Sequence, residues 1–97
     1  GAKVKASNEN RVKACIFEQF GRLRIDKPVY MRYRWYEPDK RRDLDNISSF
    51  GRKVIQDALV ETRVLQNDGW KNITGFRDDF YTDRQNPRIE VEIEVIE

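Results

Sequence analysis

Histidine is absent from this 97-residue chain, and cysteine occurs once. The first absence removes imidazole-activated nucleophiles and His-ligated zinc. The second leaves Cys15 without an internal disulfide partner, which excludes a secreted fold held by crosslinks, and one Cys without His cannot complete a structural zinc site. Any metal chemistry must therefore use oxygen ligands. Long apolar runs are missing as well: none approaches the roughly 18–20 residues needed to cross a bilayer. The N-terminus also lacks the basic-then-apolar order of a signal peptide. The expectation is a soluble, cytoplasmic protein with no membrane partner. No internal repeat, low-complexity tract or linker interrupts the chain.

What is present suffices for one small core. Hydrophobic residues make up 38% and charged residues 37%, with eleven aromatics, and a chain this short buries roughly 60–65% of its unfolded surface. One domain is expected, and disorder is not. The net charge of +2 conceals an asymmetry, because residues 1–42 carry twelve Lys/Arg against five Asp/Glu, and residues 43–97 carry seven against twelve. A basic half suits a polyanionic partner. Acids beside it would repel phosphate unless a cation sits between them, although mixed signs that merely keep a surface solvated are the plain alternative.

Val12, Ile16, Phe20 and Leu23 recur at spacings of three and four behind a capping Ser7, which predicts an amphipathic helix from about Asn8 to Leu23, with Cys15 as a packing residue. After Lys27-Pro28, Val29, Met31, Tyr33 and Trp35 alternate with Tyr30, Arg32, Arg34 and Tyr36, a strand with one core face and one basic, aromatic face. Ile47, Phe50, Val54, Ile55, Ala58 and Leu59 predict a second helix ending near Val60. A strand over about Ile73–Tyr81 should follow the Asn67-Asp68-Gly69 loop. Ile89, Val91, Ile93 and Val95 alternate with Glu90, Glu92 and Glu94 in a final strand with an acidic outer row.

The segment Arg41-Arg42-Asp43-Leu44-Asp45-Asn46 is the most unusual stretch. Two carboxylates two apart share a side in extended chain and diverge by about 200° in a helix. At a strand-to-helix junction they could meet one cation, with Asp68 as a third oxygen donor, and Mg²⁺ accepts a few carboxylates plus water while leaving room for phosphate. The alternative stays open: Asp43 or Asp45 caps the helix, worth about 1 kcal/mol, and Asn67-Asp68-Gly69 is an ordinary turn. Likewise, Tyr30, Arg32, Arg34 and Tyr36 form either a phosphate-binding and stacking platform or a covered sheet face. Trp70 and Lys71, directly after Asp68, are candidates for touching DNA, or in the case of Trp70 for packing.

Asp39-Lys40-Arg41-Arg42-Asp43-Leu44-Asp45-Asn46, followed by Asp57-Ala58-Leu59 and by Asn67-Asp68, resembles the signature of the RusA family of Holliday junction resolvases. The similarity runs from about Tyr36 to the C-terminus and includes the eleven-residue step from Asp57 to Asp68. The resemblance implies an α+β fold, a small mixed or antiparallel sheet packed by two amphipathic helices, as one domain over residues 1–97. The strand that the family places before its first helix is not expected in this chain. It further implies a homodimeric endodeoxyribonuclease, often of prophage type, that uses Mg²⁺, or Mn²⁺ in its place, to make paired nicks in four-way or branched DNA during recombination and repair. Carried over by position, Asp43, Asp45 and Asp68 are the metal-binding acids and Lys53 the functional lysine. The charge pattern itself, not the resemblance, assigns Arg41, Arg42, Arg32, Arg34 and Lys71 to DNA.

One departure stands out. Lys53 lies seven residues after Asn46, where the family spaces the two by three, so four residues have been added and Ser49 falls at the family's lysine spacing. An added helical turn would move Lys53 about 6 Å along the axis; Gly51 within the insertion makes a loop the alternative. Two rivals from other classes are a non-catalytic nucleic-acid-binding module working through the Arg/Tyr strand face, and a protein-interaction domain that pairs through its acidic last strand. Neither explains the ordered acid spacings.

Overall fold

A computed structural model describes residues 2–4 and 9–97, with side chains from Lys13 onward. The Ser7 cap and the Val12 contribution to the first helix lie outside the described residues. The elements are β1 (Ala2–Val4), α1 (Glu9–Phe20), β2 (Val29–Glu37), α2 (Leu44–Glu61), β3 (Ile73–Thr82) and β4 (Arg88–Val95). The fold is α+β with a mixed four-stranded sheet in the order β1-β4-β2-β3.

Strand β2 forms because β-branched and aromatic residues alternate with charged ones, and the alternation decides what is buried. Val29, Met31, Tyr33 and Trp35 are at most 2% exposed, whereas Tyr30, Arg32, Arg34 and Tyr36 are half-buried on the opposite face. Antiparallel pairing with β4 sets Tyr33 opposite Val91, and parallel pairing with β3 sets Tyr33 beside Asp78. The crossover between the parallel strands is α2, as a parallel connection requires. Its buried residues Ile47, Val54, Ile55, Ala58 and Leu59 join Ile16 of α1 and the inner sheet face in one core.

Three expectations change. A strand does precede α1: Ala2 pairs with Val91 and Val4 with Ile89 at the outer edge of β4. Three residues are too few to show an alternation, but they suffice to satisfy an edge. Helix α1 stops at Phe20 rather than Leu23, because Gly21 takes φ +58° and its N–H donates to the Phe17 carbonyl at 2.8 Å, the left-handed ending that glycine permits. Phe50 is 74% exposed and not a core residue. It lies roughly 110° around the helix from the centre of the buried face.

Helix α2 runs unbroken through Gly51, so the four added residues are helical and not a loop. The reason is steric. A Cβ at Gly51 would stand 2.5 and 2.6 Å from the Trp35 ring carbons Cζ3 and Cη2. Only glycine lets α2 settle onto that indole.

Candidate active site

The acids and the lysine singled out above occupy two stations along α2. At its N-terminus, Asp43 has φ −67° and ψ 148°, and its carbonyl accepts the first helical bond from the Ile47 N–H at 3.1 Å. Its carboxylate makes no capping hydrogen bond. The position is that of a cap, but the side chain is left over. Asp45 follows in the first turn, and both residues are exposed. Among the described residues neither carboxylate has a hydrogen-bond or ion-pair partner, and both sit where the positive end of the helix dipole favours anions.

The preceding loop is held by its own cations. The Arg42 guanidinium donates to Glu37 Oε1 at 3.3 Å and to the Asn46 carbonyl at 2.9 Å, pinning the loop onto α2. Arg41 is more exposed and pairs loosely with Asp39 at 3.5 Å. Beside them opens a cleft of about 720 Å³ whose lining includes Glu37, Asp39, Arg42, Asp43, Phe80 and Tyr81. Tyr81 stacks on Tyr36 with ring centroids 4.9 Å apart.

At the second station, two turns further along, Lys53 Nζ lies 3.0 Å from Asp57 Oδ1 and 3.6 Å from Asp68 Oδ2. The hydrogen bond to Asp57, and then the charges of Asp57 and Asp68, hold the Lys53 ammonium above its ordinary pKa, so it is a cation at every physiological pH. Asp68 reaches this place because the chain reverses at Arg63 (φ 67°) and is drawn back by Val64 and Leu65, both at most 1% exposed. The Asp68 N–H donates to Asn67 Oδ1 at 2.8 Å within the local turn.

Lys53, Asp57 and Asp68 thus stay together, and the added turn separates all three from Asp43 and Asp45. Eight residues at 1.5 Å each set Lys53 about 12 Å along the axis from Asp45. Among the described residues no three acid, His or Cys side chains gather closely enough to hold a metal ion. The donor chemistry of Asp43 and Asp45 fits a hard cation such as Mg²⁺ or Mn²⁺, being two unpartnered carboxylates with space for water and phosphate. Ser49, one turn before Lys53, is exposed and carries no charge to either station.

The strand-face cations fare differently. Arg32 pairs with Glu94 at 3.4 Å and Arg34 with Glu92 at 3.1 Å, so the acidic row of β4 neutralises the basic row of β2. Register decides this, and neither strand alone announces it. Lys71 is exposed with no partner among the described residues, and Trp70 is 95% exposed.

One network escapes any reading of local pattern. The Arg52 guanidinium pairs with Asp78, whose other oxygen accepts the Trp35 indole N–H at 2.9 Å, and Arg52 also lies 4.4 Å from the centroid of the Phe76 ring. Gln56 donates to the Tyr33 hydroxyl at 3.1 Å alongside. These bonds clamp α2 to β2 and β3 at the level of the Lys53 station. The Asp78-Asp79 pair was visible in the sequence, but its partners come from β2 and α2 and only the parallel pairing brings them together.

No helix among the described residues is long and apolar enough to cross a membrane. No curated protein matches the sequence. The sequence model of the family described as Endodeoxyribonuclease RusA matches residues 3–94, from β1 into β4, and takes in both stations of α2. The match extends well upstream of Tyr36, where the motif resemblance begins. With the Asp-x-Asp-Asn motif at the start of α2 and the Lys53–Asp68 contact beyond it, this chain belongs to the RusA family of Holliday junction-resolving endodeoxyribonucleases.

Proposed function

We propose that the protein is a divalent-metal-dependent resolvase that acts as a homodimer on four-way DNA junctions, cutting two strands in recombination and repair. The observation that carries the reading is the pair of unpartnered carboxylates at the start of α2, Asp43, which lines a cleft beside the cationic loop 40–42, and Asp45 in the first helical turn. Asp43 and Asp45 would hold the metal, while Asp68, ion-paired with Lys53 at the second station, positions that lysine. Mg²⁺, or Mn²⁺ in its place, would activate water and offset charge on the phosphate as the bond to the leaving 3′ oxygen breaks. Lys53, kept charged by Asp57 and Asp68, stabilises the phosphate or the leaving group. Arg41, Arg42 and Lys71 hold backbone phosphates, giving affinity that falls with salt and carries no base code. Arg32 and Arg34 contribute less, because each already has a carboxylate. A two-fold dimer would present two such sites to two scissile strands.

The test is cleavage of an immobile four-way junction beside linear duplex of the same sequence, with and without Mg²⁺. Paired nicks in the junction, dependent on metal and lost in Asp45→Asn while junction binding remains, are the expected result. Junction binding without cleavage by the unaltered dimer would sink the catalytic reading and leave a binding module.

A further inference from the structure

Two exposed aromatic side chains flank the Lys53 station, and the packing of the fold uses neither. Phe50 is 74% exposed on α2, three residues before Lys53 and so on the same side of the helix, about 4.5 Å back along its axis. Trp70 is 95% exposed, two residues after Asp68, whose carboxylate lies 3.6 Å from Lys53 Nζ. Its loop is not loose: the N–H groups of Asn72 and Ile73 both donate to the Gly69 carbonyl at 2.9 Å, so the indole is displayed on a built turn. The other tryptophan, Trp35, is 2% exposed and hydrogen-bonded to Asp78, which shows that this core had use for an indole and that Trp70 is outside it. Leaving rings of this size in water forgoes burial that would otherwise stabilise the fold.

Resting on the resolvase reading above, we propose that Phe50 and Trp70 are stacking surfaces for bases unstacked at the branch point, and that they select junctions over continuous duplex. The surroundings match that occupant. A base offers a flat π-face, and its flanking phosphates need a cation, which the exposed Lys71 supplies next to Trp70. In intact duplex the bases are stacked on each other and offer no free face, so the two aromatics gain nothing there. A junction centre or a flap supplies that face without the cost of unstacking.

The two tryptophans make the test spectroscopic. In the free protein, acrylamide should quench the emission of Trp70 and spare that of Trp35. On adding a four-way junction with 2-aminopurine at the branch point, Trp70 should become protected and the 2-aminopurine emission should change, with neither effect from duplex. Trp70→Ala should weaken junction binding by about 10- to 100-fold, the range of one lost base–aromatic stack, and leave duplex binding within about threefold. Trp70→Phe should restore most of the loss, and Phe50→Ala should reduce junction preference in the same direction. Retained Trp35 emission reports that each variant is folded. Junction binding with Trp70 still fully quenchable, or with Trp70→Ala and Phe50→Ala both unaffected, overturns this proposal alone. An unaltered protein that neither binds nor cuts the junction overturns the resolvase reading and this proposal with it.

Discussion

Replacing Gly51 by alanine isolates the packing contact that decides the shape of α2. On helix propensity alone Gly51→Ala should stabilise the protein by about 1 kcal/mol. The contact opposes this, because the new Cβ would lie 2.5 and 2.6 Å from two carbons of the Trp35 ring, about 1 Å inside ordinary contact. The ring cannot simply retreat. It is 2% exposed, its N–H is bonded to Asp78 at 2.9 Å, and it stacks on Tyr33 with centroids 5.8 Å apart. Overpacking costs about 1–3 kcal/mol, and a contact this close to a fixed ring belongs in the upper half of that range, about 2–3 kcal/mol, so after the propensity gain of about 1 kcal/mol the balance is a net loss of about 1–2 kcal/mol and a Tm lower by about 5–15 °C. Thermal unfolding followed by far-UV circular dichroism measures it, with Ser49→Ala as the control. That residue is exposed on the same helix, and its replacement should raise Tm by a few degrees on propensity alone. A Gly51→Ala protein that melts at or above the unaltered one would refute the argument that Gly51 is required for the seat of α2 on Trp35.

Three further outcomes are expected. Lys53→Ala should lower the rate of junction cleavage by about 10²–10³-fold. Melting should barely change, since exposed ion pairs contribute little stability; a large fall in Tm would mean that Lys53 is structural. Arg52→Ala should cost about 2–4 kcal/mol in urea unfolding, because it leaves the half-buried Asp78 carboxylate with only the Trp35 N–H; a loss under 0.5 kcal/mol would show the clamp to be dispensable. Burial raises the Tyr33 hydroxyl from 10.0 to about 12, the Gln56 hydrogen bond opposing it. Below pH 10 the phenol is neutral folded and unfolded, whereas between about 10 and 12 only the unfolded chain ionises. Stability should therefore fall by about 2–3 kcal/mol across that window, and Tyr33→Phe should flatten the fall in a series of alkaline melts.

Local pattern carried much of this protein. Strand β2 could be read because its period-two alternation spans the whole strand, and β4 for the same reason. The existence of α2 and the order of its acids were likewise legible, since both are properties of consecutive residues. The boundaries that shifted are those set by a single backbone event, such as the left-handed Gly21. Phe50 belongs to the apolar repeat that predicts α2 yet is 74% exposed, because hydrophobicity says that a side chain prefers burial but not whether the face it lies on is covered.

The sequence by itself determined the absence of imidazole and disulfide chemistry, the oxygen-only donor set, the two helices, the alternating strands and the family signature, all of which depend on composition or on spacing along the chain. Only the tertiary structure decided that four added residues continue α2 over Trp35, that Lys53 and Asp68 stay together about 12 Å along the axis from Asp45, and that the arginines of β2 are already paired with the glutamates of β4. Those outcomes rest on parallel and antiparallel register and on one close approach between a glycine and an indole. Such contacts join residues far apart in the chain, and no local pattern encodes which of them will meet.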